Sequence, residues 1–382
     1  MAQHLFRQFV LKVHSRCNLA CDHCYVYESV DQSWRDQPQV IADRTVRAAA
    51  MRIGEHAARN GIDRVGVVLH GGEPLLVGPA GLERIFGILR STLDGVAELD
   101  LGLQTNGVQL DRRFAGLFRD AGVRVGISLD GGRQANDRHR RFAHGGSSYD
   151  PVVRAVRLLG SAEYRPVFGG LLCTVDVAND PIAVFTDLAA LQPPRIDLLL
   201  PHATWEQPPP AARPGRTPYG DWLVTLFDHW YSRPPTVGIR LFEELMHALL
   251  GGASRSEAVG LSAPESIVIE TDGSVEQTDA LKVAFSGAAA TGYNVFDHAL
   301  DDVLAHPAVL GSALGVAGLS DTCRSCPILT ACGGGLYPHR YRRDTGFANP
   351  SVYCADLTRL ITHIQHRLSI DLAAVPEMVD LR

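Results

Sequence analysis

Phe9 to Glu28 reads FVLKVHSRCNLACDHCYVYE. A short apolar run leads straight into three cysteines, Cys17, Cys21 and Cys24, with gaps of three and two residues between them. No fourth cysteine lies near them. Three thiolates are too many for one disulfide and one too few for a closed tetrahedral metal site. They read as an incomplete ligand set placed at the end of a strand. The competing readings are a zinc knob completed by His14 or His23, and three unrelated thiols.

The surrounding chain says what kind of strand this is. Five more apolar runs follow FVLKV: RVGVVLH from Arg64, LDLGLQT from Leu99, VRVGISL from Val123, VFGGLLCTV from Val167 and IDLLLPH from Ile196. They are almost continuous in apolar residues, the pattern of strands buried on both faces. Helical segments separate them, such as DRTVRAAAMRIGEHAARNG, with Asp43 placed as an N-cap and Gly61 as the stop. Strand and helix alternate, which predicts an α/β fold with a parallel sheet, open or curled into a barrel. Polar signals come directly after the strands: SRCNLAC, GGEP, TNG, DGG, DVAND and ATWE. Ligand sites in such folds collect at the C-terminal ends of strands, so these segments are expected to converge on one cavity.

Composition narrows the setting. The chain has 382 residues, 46% of them hydrophobic, enough for a large core and more than one domain. A net charge of −6 gives no basic field for nucleic acid. No apolar run is long enough to span a bilayer. The first residues lack the apolar region and cleavage site of a signal peptide, so a cytoplasmic location is expected. The eight cysteines then read as metal ligands or reduced thiols. Cys173 stands alone and reads as a buried structural thiol. The proline-rich QPPPAARPGRTP begins at Gln207. Boundaries are placed there and near residue 262, giving segments 1–206, 207–261 and 262–382. IVIETDGSVEQTD predicts a hairpin turning at Asp272-Gly273.

An iron–sulfur cluster usually takes four cysteine thiolates. With three, one iron of a [4Fe–4S] cluster is free to bind an exogenous chelate. S-adenosylmethionine offers such a chelate through its amine and carboxylate. An electron from the cluster can then break its sulfonium C–S bond.

CNLACDHC matches the CxxxCxxC signature of the radical S-adenosylmethionine superfamily, and further landmarks follow in order. GGEP, with Gly71, Gly72 and Glu73, resembles the loop that receives the methionine amine. QTNG, with Gln104 and Thr105, and SLDG, with Ser128 and Asp130, resemble the loops near the ribose and methionyl groups. Arg140 falls where relatives place an arginine on the carboxylate. His23 stands where the family usually has an aromatic residue against adenine. The fold this resemblance implies is an open (β/α)6 partial TIM barrel. Plainer readings exist: the glycines make tight turns, Glu73 caps a helix, and the arginines from Arg138 to Arg141 form a solvated face.

Near the C-terminus, Cys323, Cys326 and Cys332 form a CxxCxxxxxC run, with Cys354 farther on. Four thiols can close a site by themselves, and a zinc ribbon is one reading. The segment also resembles the SPASM extension of peptide-modifying radical enzymes, where this pattern holds an auxiliary [4Fe–4S] cluster. Full SPASM domains hold a second auxiliary cluster. Two of the positions that would ligate it are Leu336 and Thr278 here. The resemblance therefore implies a partial SPASM domain and two [4Fe–4S] clusters in all. Asp279 matches the aspartate that takes a substrate proton in sulfatase-maturing relatives; the plainer reading is a polar residue at a hairpin end.

CDHCYVYE, PHATWE and IETDGSVEQTDALK resemble the FxsB-type peptide maturases. These join an aromatic ring carbon to a β-carbon in a ribosomal precursor peptide, making a cyclophane. The implied chemistry is hydrogen abstraction by a 5′-deoxyadenosyl radical, attack on the ring, then loss of an electron and a proton. The implied partners are the precursor peptide and an electron donor such as a flavodoxin or ferredoxin, with no nucleic acid and no membrane. The alternatives are an anaerobic sulfatase maturase making formylglycine, and a zinc-stabilised adaptor that binds peptides without catalysis.

Overall fold

The structure is a computed structural model that describes residues 4–232 and 237–374. Six parallel strands form its centre: β1 (Gln8–His14), β2 (Arg64–Gly71), β3 (Glu98–Thr105), β4 (Arg124–Ser128), β5 (Phe168–Thr174) and β6 (Arg195–Leu199). They neighbour one another in chain order, and every pairing is parallel. The two-residue β7 (Gly238–Ile239) adds to β6. This is the expected open barrel with one short extra strand.

Helices α1 (Asp43–Asn60), α2 (Pro79–Leu93), α3 (Arg112–Asp120), α4 (Arg133–His139), α5 (Tyr149–Gly160) and α6 (Pro181–Ala189) fill the connections. The buried side of α1 repeats at helical spacing through Val46, Ala49, Ala50, Ile53 and Ala57. Ala42, not Asp43, occupies its N-cap; Asp43 is the first helical residue, where its charge still suits the helix dipole. Gly61 closes the helix in a left-handed conformation (φ 61°).

The strands are not buried alike on both faces, and this corrects the reading of their apolar runs. In β2, Val65, Val67 and Leu69 pack outward under the helices. The alternate residues Val68 and His70 line the inside of the barrel. Along β3 to β5 the inward positions are Gly102, Gln104, Gly126, Ser128, Gly170, Leu172 and Thr174. Small and polar residues there keep the barrel hollow, unlike the packed interior of a closed (β/α)8 barrel.

After β6 the chain forms α7 (Pro218–Tyr231) and α8 (Arg240–Leu249). It then returns to β1, where β8 (Ser266–Ile269) pairs in parallel. β9 (Ser274–Glu276) and β10 (Ala290–Asn294) continue antiparallel, so one sheet of ten strands joins the barrel to the start of the C-terminal segment. The β8–β9 hairpin turns at Asp272-Gly273 as expected, with Gly273 at φ 89°. The long helix Cys354–Ala374 packs along α7, with Tyr353 against Tyr219 and His363 bonded to Asp228 at 2.8 Å. His56 of α1 is buried and bonded to Asp301 (2.7 Å) and to the Phe6 carbonyl (3.1 Å), tying the barrel to the C-terminal segment.

Candidate active site

At the C-terminal ends of β1 to β6 lies a cavity of about 210 Å³. Cys17, Cys21 and Cys24 line it together with His23, Gly71, Gly72, Glu73, Gln104, Thr105, Ser128 and Arg140. Residues far apart in sequence meet because each follows a parallel strand. Of the residues singled out for the cofactor, Asp130 alone is absent from the lining. It is buried behind Arg140.

The cysteine loop is held by the GGEP loop. Gly72 N–H donates to the His14 carbonyl (2.7 Å), and Glu73 N–H donates to the Arg16 carbonyl (3.0 Å). Gly71 has φ 148°, and a Cβ there would overlap the His14 backbone. A Cβ on Gly72 would overlap the Tyr27 hydroxyl and the Arg16 backbone. The two glycines are thus required by close approach of the cysteine loop, not by a turn alone.

Glu73 is almost wholly buried. Its carboxylate accepts from Leu75 N–H (2.9 Å), Thr105 Oγ1 (2.6 Å) and Asn106 N–H (2.8 Å). Burial pushes it up to about 7, while those three donors pull the other way. Glu73 therefore caps the turn Pro74–Val77, as its plainer reading had it, and also clamps the β2 loop to the β3 loop. Asn106, which sequence reasoning passed over inside QTNG, reaches the cysteines. Its Nδ2 donates to Asn18 Oδ1 (2.8 Å) and approaches Cys17 Sγ at 3.6 Å. Gln104 Nε2 donates to Ser128 Oγ (2.9 Å) across the cavity floor.

Arg140 is the buried cation of the cavity. Its Nε donates to Asp130 Oδ2 (2.7 Å), and Asp130 Oδ1 accepts from Thr174 N–H (2.9 Å). Asp130 fixes the guanidinium, leaving its other nitrogens for an anion. Arg140 thus departs from the solvated-face reading, whereas its neighbours Arg138 and Arg141 are exposed. His23 is held as a neutral imidazole by burial, at about 4, and its ring stands edge-on to His139 with centroids 5.1 Å apart.

The donor set fits an iron–sulfur cluster better than zinc. Four thiolates around zinc, at Zn–S of about 2.3 Å, sit roughly 3.8 Å apart. Neither cysteine set, among the described residues, brings three of its sulfurs within 4.8 Å of one another. A four-iron cluster carries each ligand sulfur on a separate metal and needs the wider spacing.

Cys323, Cys326, Cys332 and Cys354 surround one cavity with Ile328, Leu329, Gly334, Ser351 and Thr358. The loop after Cys332 carries three glycines in left-handed conformations, Gly333, Gly334 and Gly335 (φ 60°, 81° and 69°). Their carbonyls all point at the Arg340 guanidinium. Thr278 and Leu336 also meet, in a separate cavity lined by Glu257, Gly260 and Ser262, and none of the described residues lining it is a cysteine. Cys173 is buried in β5 and donates to the Thr174 carbonyl, as a structural thiol would.

Asp279 is not at a hairpin end. It opens the short helix Asp279–Val283 after β9 and is buried, paired with Lys12 of β1. Lys12 holds its carboxyl below the usual range against the effect of burial. Its Oδ1 has no hydrogen-bond partner. Three rings that line the main cavity, Tyr25, His70 and His202, lie within its electrostatic reach. His202, in PHATWE, is a further residue that sequence reasoning did not select. It is neutral, with a buried Nδ1 lacking a partner, and packs edge-on against Tyr25 at 4.6 Å.

The family model described as the radical SAM superfamily matches residues 11–180. The cysteine-type anaerobic sulfatase-maturating enzyme of Clostridium perfringens is 27% identical over 278 residues, covering 69% of this chain and 72% of that relative. Among solved structures, native anSMEcpe with bound AdoMet and Cp18Cys peptide superposes with a TM-score of 0.79 at 21% identity, over 96% of this chain and 99% of the other. Streptococcus suis SuiB bound to precursor peptide SuiA gives 0.60 at 14% identity, over 92% and 76%. Among the described residues, no helix is long and apolar enough to cross a membrane.

Proposed function

The chain carries a radical SAM domain, and on that premise we propose that it modifies a ribosomal precursor peptide by joining an aromatic ring carbon to a β-carbon. S-adenosylmethionine and [4Fe–4S] clusters are its cofactors. Cys17, Cys21 and Cys24 would hold the first cluster, and the four C-terminal cysteines a second. Arg140, fixed by Asp130, is the candidate partner for the methionine carboxylate, and the GGEP backbone for its amine. His23 offers a neutral flat face for the adenine. Gln104 and Ser128 present polar groups from the cavity floor. When bound, these cofactors supply a one-electron oxidant that removes a hydrogen atom from an unactivated carbon, and an acceptor for one further electron.

What remains for the protein is a proton. A ring carbon that has formed a new bond must lose its hydrogen to regain aromaticity. Asp279, kept ionised by Lys12 and with one oxygen free, is the candidate base. The observation that carries the crosslinking reading is the Thr278–Leu336 cavity without a cysteine. It supports a protein with a single auxiliary cluster, closed by four thiolates, whereas sulfatase maturases usually hold two. The sulfatase-maturase reading draws its support from the similarity to the C. perfringens enzyme. The test is to incubate reconstituted protein with the peptide encoded beside its gene and to sequence the product by mass spectrometry. The expected product is two hydrogens lighter and carries a ring-to-β-carbon link. A formylglycine product overturns the crosslinking reading in favour of the second.

A further inference from the structure

Asp279 belongs to a larger group. Lys12, Glu270, Glu276, Asp279 and Lys282 are all buried, at 2%, 7%, 6%, 7% and 1% exposure. They come from β1, the β8–β9 turn, β9 and the short helix after it. Lys12 pairs with Asp279, and Lys282 with Glu276 at 2.7 Å and Glu270 at 3.6 Å. The three carboxylates each place an oxygen within 4.8 Å of the other two. Such an acidic triad resembles a cation site, but two ammonium groups already fill that role.

The charge count is what matters. Three carboxylates against two ammoniums leave one negative charge in excess when all are ionised. Burial of an uncompensated charge is costly. One added proton makes the group neutral. We propose that these five side chains are a proton sink for peptide oxidation: Asp279 takes the substrate proton on Oδ1, and the Glu270–Glu276 pair stores it. The inference rests on the peptide-oxidising reading above, in which the substrate loses a hydrogen atom, an electron and this proton. Here the substrate C–H bond breaks, an O–H bond forms on Asp279, and the proton then moves to Glu276, leaving Asp279 ionised beside Lys12.

The remaining neighbours agree with that direction. Glu276 faces Lys282, Glu270 and Asp279, and burial raises it to about 7. Glu270 is raised as well, chiefly by burial, while Lys12 and Lys282 oppose the rise. Asp279 faces Lys12, His70 and Lys282 and is lowered. Tyr25, Tyr27 and His202 also feel these carboxylates, and Asp31 lies near Lys282. The proton's resting place is therefore Glu276, not Asp279. The sink is empty above about pH 7 and already filled below it.

Two measurements decide this. The first is the ratio of oxidised peptide to 5′-deoxyadenosine between pH 6 and 8.5. In the wild type the ratio should fall as pH drops through about 7. In Glu276→Gln the inflection should vanish, and the ratio at pH 8 should fall at least about tenfold, the low end for a positioned acid–base group. A wild-type ratio and profile in Glu276→Gln overturns the proposal. The second uses the reconstituted wild-type protein and needs no variant to fold. Infrared titration should show two buried protonated carboxyls disappearing around pH 7, Glu73 and one of the Glu270–Glu276 pair, and the loss of one alone overturns the sink whatever the catalytic result. Because the ratio is scored on any oxidised peptide, a formylglycine product overturns the crosslinking reading alone.

Discussion

The two cysteine sites differ in what surrounds them. Around Cys17, Cys21 and Cys24 the walls carry polar and charged groups: Glu73, Gln104, Ser128, Arg140 and three histidines. Around Cys323, Cys326, Cys332 and Cys354 the lining is Ile328, Leu329, glycine and three hydroxyl residues, with the Arg340 guanidinium just outside it on the carbonyls of Gly333 to Gly335. Three ligands in a polar hollow leave a metal position open to a polar molecule. Four in a small, mostly apolar shell can close a site by themselves, which suits electron transfer. Under the proposed assignment, ligand count and wall chemistry go together, one site for bond cleavage and one for holding charge.

The hardest test of that contrast is to remove one set at a time. Cys17, Cys21 and Cys24 replaced together by Ala should abolish reductive cleavage of S-adenosylmethionine and lower iron from about eight to about four per chain. Replacing the four C-terminal cysteines should cost the same iron and leave cleavage under dithionite intact, while oxidised peptide disappears. Normal 5′-deoxyadenosine formation in the first variant removes the basis for the assignment. About four irons and one zinc in the wild type would make the C-terminal site a ribbon.

Asp279 sharpens the comparison, since the proton step proposed for it would follow the chemistry of the first site and accompany electron loss to the second. Asp279→Asn keeps the volume and loses the base. Peptide product should fall about 10²–10⁴-fold while peptide-dependent cleavage of S-adenosylmethionine continues. Deuterium at the substrate β-carbon should still appear in 5′-deoxyadenosine. Crosslinking at the wild-type rate would reduce Asp279 to a structural ion pair with Lys12.

A smaller effect is expected where the cysteine loop is seated. Gly72→Ala places a methyl against the Tyr27 hydroxyl and the Arg16 backbone. Overpacking of this kind costs about 1–3 kcal/mol. The urea midpoint should drop, and iron loading at the first site should drop with it, whereas the C-terminal site keeps its iron. Equal loss at both sites would mean the collision spreads through the shared sheet.

The six central strands were legible because their outward faces are apolar and their ends carry glycine and polar punctuation. The cavity residues were legible for the same reason, since every one follows a strand. Helix α4 was not: RQANDRH buries only Ala135 and Asn136, too little for a periodic face, and Arg140, just past its end, could not be told by pattern from the exposed Arg138 and Arg141. Lys12 was hidden inside an apolar run, and its partner lies at the far end of the chain. A buried ion pair between distant residues leaves no local signal. Asn106 was quoted but not chosen, because a TNG segment reads first as a turn. The cavity that Thr278 and Leu336 share was also invisible, since their residue types carry no signal of a shared hollow.

The smallest effect concerns His23, where the open site departs from the aromatic residue usual in the family. Its Nδ1 is buried without a hydrogen-bond partner. The nearest carboxylate oxygens, on Asp22 and Asp130, are each 3.7 Å from a ring nitrogen, too far to bond. An unsatisfied buried nitrogen costs stability, and a carbon in its place does not. Phe keeps the flat ring that would face adenine and the edge-on contact with His139. His23→Phe should therefore unfold within about 1.5 kcal/mol of the wild type, as shape-conserving swaps do. The KM for S-adenosylmethionine should rise by less than about tenfold, or ~1.4 kcal/mol, with no change in its pH dependence between 6 and 8, because the imidazole is neutral throughout. A much larger rise in KM at unchanged stability would show that Nδ1 is reserved for a hydrogen bond to the cofactor. His23 would then be a specific contact and not an apolar plate.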